Sequence, residues 1–256
     1  MTTNIFDITD RLALVTGSSR GLGHALATGL ARAGARVIVH GRDTDTVTDA
    51  ARMIREATGT APATTTFDVT DVEAVEQGIT SLVAEHGVPD ILVNNAGVQR
   101  RAPFNDFEPA DWDDIVTTNL SSVFYVSQQV TRGMAERGSG KVINIGSVQS
   151  MLARQTIAPY SATKGAVAML TKGMAADLAR FNIQVNAISP GYFATDMNRA
   201  LVEDEAFNTW VINRTPAQRW GSLDELVGTL VYLTSDASTF VSGQNIFVDG
   251  GMTSVV

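Results

Sequence analysis

A tyrosine and a lysine spaced four residues apart could transfer a proton in this chain. Tyr160 and Lys164 lie in the stretch APYSATKGAVAMLTKGMAADLAR, whose pattern is strongly helical. Residues four apart lie on one face of a helix, so the two side chains are predicted to be neighbours. A tyrosine has an ordinary pKa near ~10, and an adjacent ammonium favours the phenolate. Tyr160 is therefore predicted to act as a general acid and base.

A glycine-rich turn follows the first apolar run of the chain. The sequence TGSSRGLG covers residues 16–23 and opens into a helical stretch. Gly17 permits a tight turn, Gly21 lets the backbone approach a pyrophosphate at the helix N-terminus, and Gly23 lets helix and strand pack closely. The spacing departs from the GxGxxG fingerprint. On the turn alone, a plain strand-to-helix connection remains the alternative.

Short β-branched runs alternate with helical stretches along the chain. The predicted strands are residues 12–16, 36–40, 63–67, 90–94, 141–145, 183–188 and 245–249. Helices are predicted between them, the first two at 21–33 and 43–57. Strands joined through helices form right-handed crossovers, which give a parallel sheet covered on both faces. The predicted fold is α/β, a doubly wound parallel sheet of seven strands in three layers, with ligands at the carboxyl ends of the strands.

No linker divides the chain, so residues 1–256 are predicted to form a single domain. An amphipathic segment at about 196–220 has no strand of its own and is predicted to be a helical insertion over one edge of the sheet. The insertion contains Trp210 and Trp220, which could cover a substrate or serve subunit packing.

Composition excludes several classes of function. Nineteen Lys and Arg against 27 Asp and Glu give a net charge of −8, which disfavours nonspecific binding to nucleic acid or to an anionic membrane. Cysteine is absent, which removes disulfides and thiol nucleophiles. The three histidines do not cluster with acids, so no metal site is predicted. No signal peptide or membrane span is visible, so a cytoplasmic location is expected.

The glycine turn, NNAG at 94–97, Ser147, and YSATK at 160–164 resemble the short-chain dehydrogenase/reductase family over essentially the whole chain. The resemblance implies a Rossmann-type fold, a nicotinamide cofactor and a homotetramer. It also implies the catalytic set Asn119, Ser147, Tyr160 and Lys164. In the family Tyr160 would be the acid in reduction and the base in oxidation, Ser147 would bind the substrate oxygen, and Asn119 would hold a water linking Lys164 to solvent.

The end of the second strand bears on the choice of nicotinamide cofactor. An acid that would bind the ribose hydroxyls of NAD is expected there, but the chain has Gly41 followed by Arg42, with Arg20 in the glycine turn. Two guanidinium groups suit a 2′-phosphate, which favours NADP. NAD stays possible because Asp43 could neutralise Arg42. The predicted cofactor-binding residues are Gly17, Ser19, Arg20, Gly21, Leu22, Gly23, Arg42, Asp68, Val69, Asn95, Ala96, Gly97, Tyr160, Lys164, Pro190, Gly191 and Thr195.

Stretches outside the generic motifs, among them GVQRRAPF, ARQTIAPY and RTPAQRWG, resemble the members of the family that interconvert D-gluconate and 5-keto-D-gluconate. Such a substrate, or another sugar acid or ketone, needs a cation for its carboxylate and polar groups for its hydroxyls. The predicted substrate-binding residues are Ser147, Gln149, Arg101, Arg154 and Tyr160, with Arg101 as the main carboxylate partner. Surface arginines are the alternative for Arg101 and Arg154, since strand-end loops are exposed.

Two other functions stay open. The first is a reductase of the same family that acts on 3-oxoacyl thioesters of acyl carrier protein, or on another polyol or ketone. The net charge of −8 counts against the acyl carrier. The second is a noncatalytic NADP-binding regulator that keeps the fold without the chemistry. The intact set of Asn, Ser, Tyr and Lys counts against that alternative.

Overall fold

The computed structural model describes residues 4–194 and 199–256. Seven parallel strands form one sheet in the order β3-β2-β1-β4-β5-β6-β7. They are β1 Leu12–Val15, β2 Arg36–Gly41, β3 Ala63–Thr66, β4 Ile91–Asn94, β5 Gly140–Ile145, β6 Ile183–Pro190 and β7 Asn245–Val248. The predicted doubly wound α/β fold is confirmed, and each predicted strand end lies within about two residues of the observed one.

Helices cover both faces of the sheet. They are α1 Gly21–Arg32, α2 Thr44–Thr58, α3 Val72–His86, α4 Pro109–Val116, α5 Ser122–Arg137, α6 Ala158–Leu178, α7 Arg199–Glu203, α8 Glu205–Arg214 and α9 Asp224–Thr234. Aspartates cap three of them: Asp43 accepts a hydrogen bond from Thr46 N, Asp71 accepts from Glu73 N and Ala74 N, and Asp204 accepts from Phe207 N. Gly59 ends α2 in the left-handed conformation that glycine tolerates best. Within the described ranges, the structure has no helix whose length and apolar character would let it cross a membrane.

Alternate residues of the central strands pack into two separate cores. Ala13 and Val15 contact the core shared with α1, α2 and α9, whereas Leu12 and Leu14 contact the core shared with α3, α5 and α6. Successive side chains of a strand point to opposite faces, so a strand buried on both faces is apolar throughout. This burial fixes the sheet as a rigid platform, and its carboxyl edge carries the loops described next.

Candidate active site

Tyr160 and Lys164 lie together on α6, against the end of β5. The Lys164 Nζ atom is 5.6 Å from the centre of the Tyr160 ring. It donates a hydrogen bond of 2.7 Å to the backbone oxygen of Ile145, the last residue of β5. Lys164 is buried, so this bond and the helix fix its ammonium beside the phenol. The neighbouring arrangement expected from the four-residue spacing is present in the structure.

Burial controls the protonation of both groups. It raises the pKa of Tyr160 above its ordinary value, while the nearby Ser147 hydroxyl acts in the opposite direction. Burial lowers the pKa of Lys164 to about 8. The direction of the pKa shift of Tyr160 is opposite to the one expected from an adjacent ammonium. The free energy needed to remove the phenolate from water is larger than the stabilisation that the neighbouring protein groups provide. The protein alone therefore holds Tyr160 as a neutral phenol, ready to donate a proton.

Ser147 follows β5 directly and faces the same cleft as Tyr160. Its backbone N–H donates to the Ser189 hydroxyl at 3.1 Å, and its own hydroxyl oxygen accepts from Gln149 N at 3.1 Å. These two bonds hold the Ser147 side chain in one orientation. A hydroxyl held beside the catalytic phenol can hydrogen-bond a substrate oxygen whose charge changes during reaction.

Asn119 lies in a π-helical turn, Thr117–Ser121, that joins α4 to α5. Its side-chain oxygen accepts from Val98 N at 2.7 Å, and its side-chain nitrogen donates to Val98 O at 2.9 Å. The same nitrogen lies 3.4 Å from the hydroxyl of Thr163, the residue before Lys164. Single π turns are frequent at functional sites. Here the turn ties the loop after β4 to the helix that carries Tyr160 and Lys164.

The glycine-rich turn fits a dinucleotide. Gly17 has φ +61°, and a Cβ there would lie 2.9 Å from Ala96 Cα, while a Cβ on Gly23 would collide with Asn95 Nδ2 and Gly17 O. Gly21 has φ +59° and no atom within 4 Å of a built Cβ, so its backbone faces open space. Helix α1 begins without a side-chain cap, which leaves its first N–H groups for a phosphate.

The loops around this turn are fixed by side-chain bonds to the backbone. Asn95 Nδ2 donates to Thr16 O and Gly17 O, both at 3.0 Å. A Cβ on Gly97 would lie 3.3 Å from Asn119 Oδ1, so this wall also contacts the catalytic turn. Two of the other predicted cofactor residues belong to the cores: Leu22 packs on the core shared with α1, α2 and α9, and Val69 is buried in the core shared with α3, α5 and α6. Ser19 lies against Gly41, Pro190 ends β6, and Gly191 N donates to Val248 O. Thr195 lies outside the described residues.

Arg42 and Arg20 lie at the adenosine side of the turn. The Arg42 side chain is 74% exposed, and its Nη1 atom is 3.8 Å from Asp68 Oδ2. Asp43, the expected competitor for Arg42, caps α2 instead. Asp68 also accepts hydrogen bonds from Thr70 N and Thr70 Oγ1. Arg20 precedes α1 in an extended conformation. An exposed pair at 3.8 Å is weak, which leaves the Arg42 guanidinium available to a ligand phosphate.

Arg101 and Arg154 belong to one positively charged region. Among the described residues, neither forms an ion pair with a carboxylate. Burial and the charge of Arg154 lower the pKa of Arg101. The Arg154 guanidinium lies 5.1 Å from the centre of the Phe207 ring on α8, and its Nε atom is buried without a hydrogen-bond partner. Gln149 Oε1 is another buried atom without a partner. These groups have unused capacity for an anionic, hydroxylated ligand.

Comparison with known proteins decides the family. A family model described as enoyl-(acyl carrier protein) reductase matches residues 17–253. The chain belongs to the short-chain dehydrogenase/reductase family. The resemblance noted from the motifs is thereby confirmed, and the protein is an oxidoreductase of that family.

Several members of the short-chain dehydrogenase/reductase family match over nearly the full length. Gluconate 5-dehydrogenase of Gluconobacter oxydans (strain 621H) is 53% identical over 98% of this chain and 97% of its own. The 5-keto-D-gluconate 5-reductase of Escherichia coli (strain K12) is 49% identical over 97% and 98%. A crystal structure of a gluconate 5-dehydrogenase from Burkholderia cenocepacia J2315 in complex with NADP and tartrate is 54% identical, covers 98% of both chains and has a TM-score of 0.95.

The sequence analysis missed Tyr192, which lies in the cleft of this short-chain dehydrogenase/reductase. Tyr192 makes edge contacts with the rings of Phe207, Trp210 and Trp220, at centroid distances of 5.8, 5.6 and 5.8 Å. A usable signal was its place directly after Pro190 and Gly191 at a strand end, where the other site residues also lie. His40, which was predicted to lie outside any triad or metal site, has a structural role: its ring hydrogen-bonds with Gly17 N and Phe67 O, both at 3.1 Å.

Proposed function

We propose that this protein interconverts D-gluconate and 5-keto-D-gluconate by hydride transfer, with NADP as the cofactor. The observation that carries the proposal is the pair of arginines, Arg101 and Arg154, that have no described carboxylate partner near the catalytic phenol. Arg101 is exposed and Arg154 is half-buried, and a substrate carboxylate could form charge-assisted hydrogen bonds with both guanidinium groups. The names of the relatives that are 53% and 49% identical support the same substrate.

The chemistry divides between cofactor and protein. The glycine turn and Arg42 would hold NADP, which would supply the hydride acceptor for C5 of gluconate and, as NADPH, the hydride donor for the C5 carbonyl carbon. In reduction Tyr160 donates its phenolic proton to the substrate oxygen, which becomes the C5 hydroxyl. In oxidation the phenolate takes that proton back. Ser147 hydrogen-bonds the same oxygen, and Lys164 provides positive charge beside the phenolate. Asn119 fixes the loop after β4 against α6 and would hold a water that connects Lys164 to solvent.

NADP is favoured over NAD by the residues at the end of β2. That end carries Gly41 and Arg42 where an NAD-binding carboxylate would stand. Arg42 is exposed and only loosely paired with Asp68, so it can contact a 2′-phosphate. The Burkholderia cenocepacia relative, 54% identical, was solved with NADP. The residues predicted to contact the cofactor, among them Ser19, Arg20, Asp68, Ala96 and Thr195, keep that role in the proposal.

Residues 1–256 are proposed to form a single domain. Its insertion at about 196–220 is proposed to cover the substrate. The described part of the insertion contains α7 and α8, and Phe207 of α8 contacts Arg154 and Tyr192. A helix that contacts the proposed carboxylate site through an aromatic ring is placed to exclude water when substrate binds. A cytoplasmic location follows from the nicotinamide chemistry and the lack of cysteine.

A homotetramer is proposed for the assembly. The support is a set of large apolar side chains that are exposed in the single chain, on α4, α5 and α6 and near the edge strand β7: Trp112, Phe124, Met169 and Phe240. Apolar groups of this size are normally covered by a partner when they share a surface. Light scattering on the purified protein should give about four times the mass of 27.2 kDa; a monomer would contradict the assignment.

One observation favours a second function, the reduction of an acyl thioester on acyl carrier protein. The matching family model carries the description enoyl-(acyl carrier protein) reductase. The net charge of −8 disfavours an acidic carrier protein as partner, and two unpaired arginines in the cleft suit a small anion better than an acyl chain.

Steady-state oxidation of NADPH tests the two functions side by side. The substrates are 5-keto-D-gluconate, other ketones and an acetoacetyl thioester, each with NADPH and with NADH. We expect the highest kcat/KM for 5-keto-D-gluconate with NADPH, and D-gluconate as the product identified by NMR. A preference for the thioester would overturn the substrate, and a lack of turnover with every substrate would favour the noncatalytic regulator.

A further inference from the structure

Tyr192 occupies a fixed position at the carboxyl end of the sheet. Its backbone oxygen accepts a hydrogen bond of 2.9 Å from Gly221 N, and the next residue, Phe193, pairs with Gly221 in a β-bridge. Three rings contact its side chain edge-on: Phe207 and Trp210 of α8 at 5.8 and 5.6 Å, and Trp220 at 5.8 Å. Edge-to-face contacts of this kind hold a ring in a defined orientation. The phenol of Tyr192 is therefore positioned by packing, whatever its hydroxyl does.

Tyr192 interacts with the two arginines on one hand and with the phenol of Tyr160 on the other. Arg154 stacks on Phe207 at 5.1 Å, and Phe207 in turn contacts Tyr192. Burial raises the pKa of Tyr192, and the charges of Arg154 and Arg101 oppose that rise. On the other side, Tyr192 contributes to the raised pKa of Tyr160. Tyr192 is thus close enough to both groups to act on their protonation.

The hydroxyl of Tyr192 has no hydrogen-bond partner in the parts of the chain that the structure describes. The residue is half-buried, so solvent reaches it only in part. The Tyr192 hydroxyl can donate or accept a hydrogen bond, so a ligand hydroxyl can take the place of the water that reaches it. Gln149 Oε1 and Arg154 Nε also lack protein partners, and unlike the Tyr192 hydroxyl they are buried.

We propose that Tyr192 determines substrate specificity by hydrogen-bonding a hydroxyl on the carbon chain between the reacting carbon and the carboxylate. This inference rests on the proposed function, which places C5 of a hexonate at Tyr160 and its C1 carboxylate at Arg101 and Arg154. C3 is midway between those ends, so its hydroxyl is the one assigned to Tyr192. The ligand class is then an acyclic polyhydroxy acid with a hydroxyl at C3, in preference to a 3-deoxy acid.

The preference distinguishes this protein from some of its relatives. The chain is 42% identical to a protein of Formosa agariphila named 2-dehydro-3-deoxy-D-gluconate 5-dehydrogenase, whose named substrate has no C3 hydroxyl. A site that hydrogen-bonds a substrate hydroxyl discriminates strongly against the analogue that lacks it, because the site's polar group is then left unpaired. Wild-type kcat/KM should therefore be higher for D-gluconate than for 3-deoxy-D-gluconate.

The test compares Tyr192→Phe with the wild type on both substrates. Phenylalanine keeps the ring contacts and removes only the hydroxyl, so the fold should be unaffected. We expect kcat/KM for D-gluconate to fall roughly 10-fold, mainly through KM, as for the loss of one hydrogen bond in the cleft. The value for 3-deoxy-D-gluconate should stay unchanged, so the discrimination between the two acids should collapse. Tyr232→Phe, the same change in α9, is the control and should leave both values unchanged.

Each outcome is informative. An equal fall on both acids would show that the hydroxyl supports packing and would overturn the specificity role, as would unchanged discrimination in an active variant. Turnover of neither acid by the wild type would contradict the proposed function itself, and with it the role of Tyr192. The two failures are distinguishable because the wild-type measurement comes first and involves no substitution.

Discussion

The cofactor side and the substrate side of the cleft differ in how their polar groups are satisfied. On the cofactor side, Asn95 donates to two backbone oxygens of the glycine turn, and Asn119 exchanges two hydrogen bonds with Val98. On the substrate side, Arg101 and Arg154 form no ion pair with a described carboxylate, and the Tyr192 hydroxyl has no described partner.

The difference follows from what each side must do. A turn that receives a dinucleotide against its backbone has to be rigid before binding, and side-chain bonds to the backbone supply that rigidity. A pocket that selects one small anion gains selectivity when its own groups are satisfied only by that anion. Under the proposed function, the cofactor side thus supplies the rigidity of the site, and the substrate side supplies its specificity.

Removing the catalytic phenol should have the largest effect. Tyr160→Phe should lower kcat by roughly 10²–10⁴-fold, since the proton transfer it performs is worth about that factor. NADPH binding, followed by fluorescence titration, should persist because the bonds that fix the glycine turn do not involve Tyr160. Tyr125→Phe on α5 is the matched control. Retained turnover in Tyr160→Phe would remove the central residue from the mechanism.

Arg101→Ala tests the substrate side directly. Loss of a charge-assisted hydrogen bond of about 1.5–3 kcal/mol should raise KM for D-gluconate roughly 10- to 100-fold, with the KM for NADP unchanged. Arg100→Ala is the control, because Arg100 is next in sequence but pairs with Asp114 at 2.9 Å and Asp111 at 3.6 Å. If Arg100→Ala had the larger effect on gluconate, the assignment of the carboxylate site would be wrong.

These two substitutions also mark what the sequence could predict. The Tyr160 and Lys164 pair, the glycine turn and the strand-end position of Ser147 depend on short-range spacing, which a sequence displays directly. Burial, the largest cause of the raised pKa of Tyr160 in the protein alone, arises only when the chain folds. The predicted phenolate depends also on the positive nicotinamide ring of the oxidised cofactor, so it stays a prediction. Tyr192 was missed because its surroundings come from α8 and the loop after it.

The expected competition between Arg42 and Asp43 is wrong for a local reason. Asp43 precedes α2 and accepts a hydrogen bond from Thr46 N at 2.9 Å, so its carboxylate caps the helix. An aspartate directly before a helical stretch has this role often enough that the pattern could have been used. The carboxylate near Arg42 comes instead from Asp68 at the end of the neighbouring strand β3.

Arg42→Ala should have a smaller effect that is confined to one cofactor. The KM for NADPH should rise roughly 10-fold, the factor for one charge-assisted contact on an exposed surface. The KM for NADH should not rise, since NADH has no 2′-phosphate. Arg36→Ala, an exposed arginine at the opposite end of the same strand, is the control. An equal rise for both cofactors would mean that Arg42 supports the loop and does not select the phosphate.

A buried lysine far from the cleft, Lys141, also lacks a carboxylate partner in the described part of the chain, as the arginines of the substrate side do. Lys141 begins β5 beside Gly140, at the amino edge of the sheet, and its Nζ donates to Ser238 Oγ at 3.1 Å. Like the arginines, it has no carboxylate partner among the described ion pairs. Lys141 lies at the edge of the sheet opposite to Ser147 and Tyr160, so the consequence of its missing carboxylate partner is expected to be a cost in stability and not ligand binding.

The effect of Lys141 on stability can be measured from the pH dependence of the free energy of unfolding. Burial, with the charge of Arg11, lowers the pKa of Lys141 from 10.5 to about 8. Between those values the unfolded chain binds more protons than the folded one, so the free energy of unfolding should rise with pH. The Lys141 contribution should be roughly 1–2 kcal/mol from pH 8 to 9.5. The measurement is urea denaturation at both pH values.

Lys141→Met isolates this contribution. Methionine keeps much of the buried chain length, and Ser238 Oγ still donates to Leu233 O at 2.9 Å, so no donor loses its acceptor. The variant should be more stable than the wild type at pH 8, and its rise toward pH 9.5 should be smaller by the Lys141 contribution, leaving that of Lys164, whose pKa is also about 8. Lys172→Met, at an exposed lysine of α6, should leave the rise unchanged. If Lys141→Met instead lost stability at pH 8 while gluconate turnover was intact, the ammonium would be a stabilising contact, and the cost assigned to unpaired buried cations would not apply at this edge of the sheet.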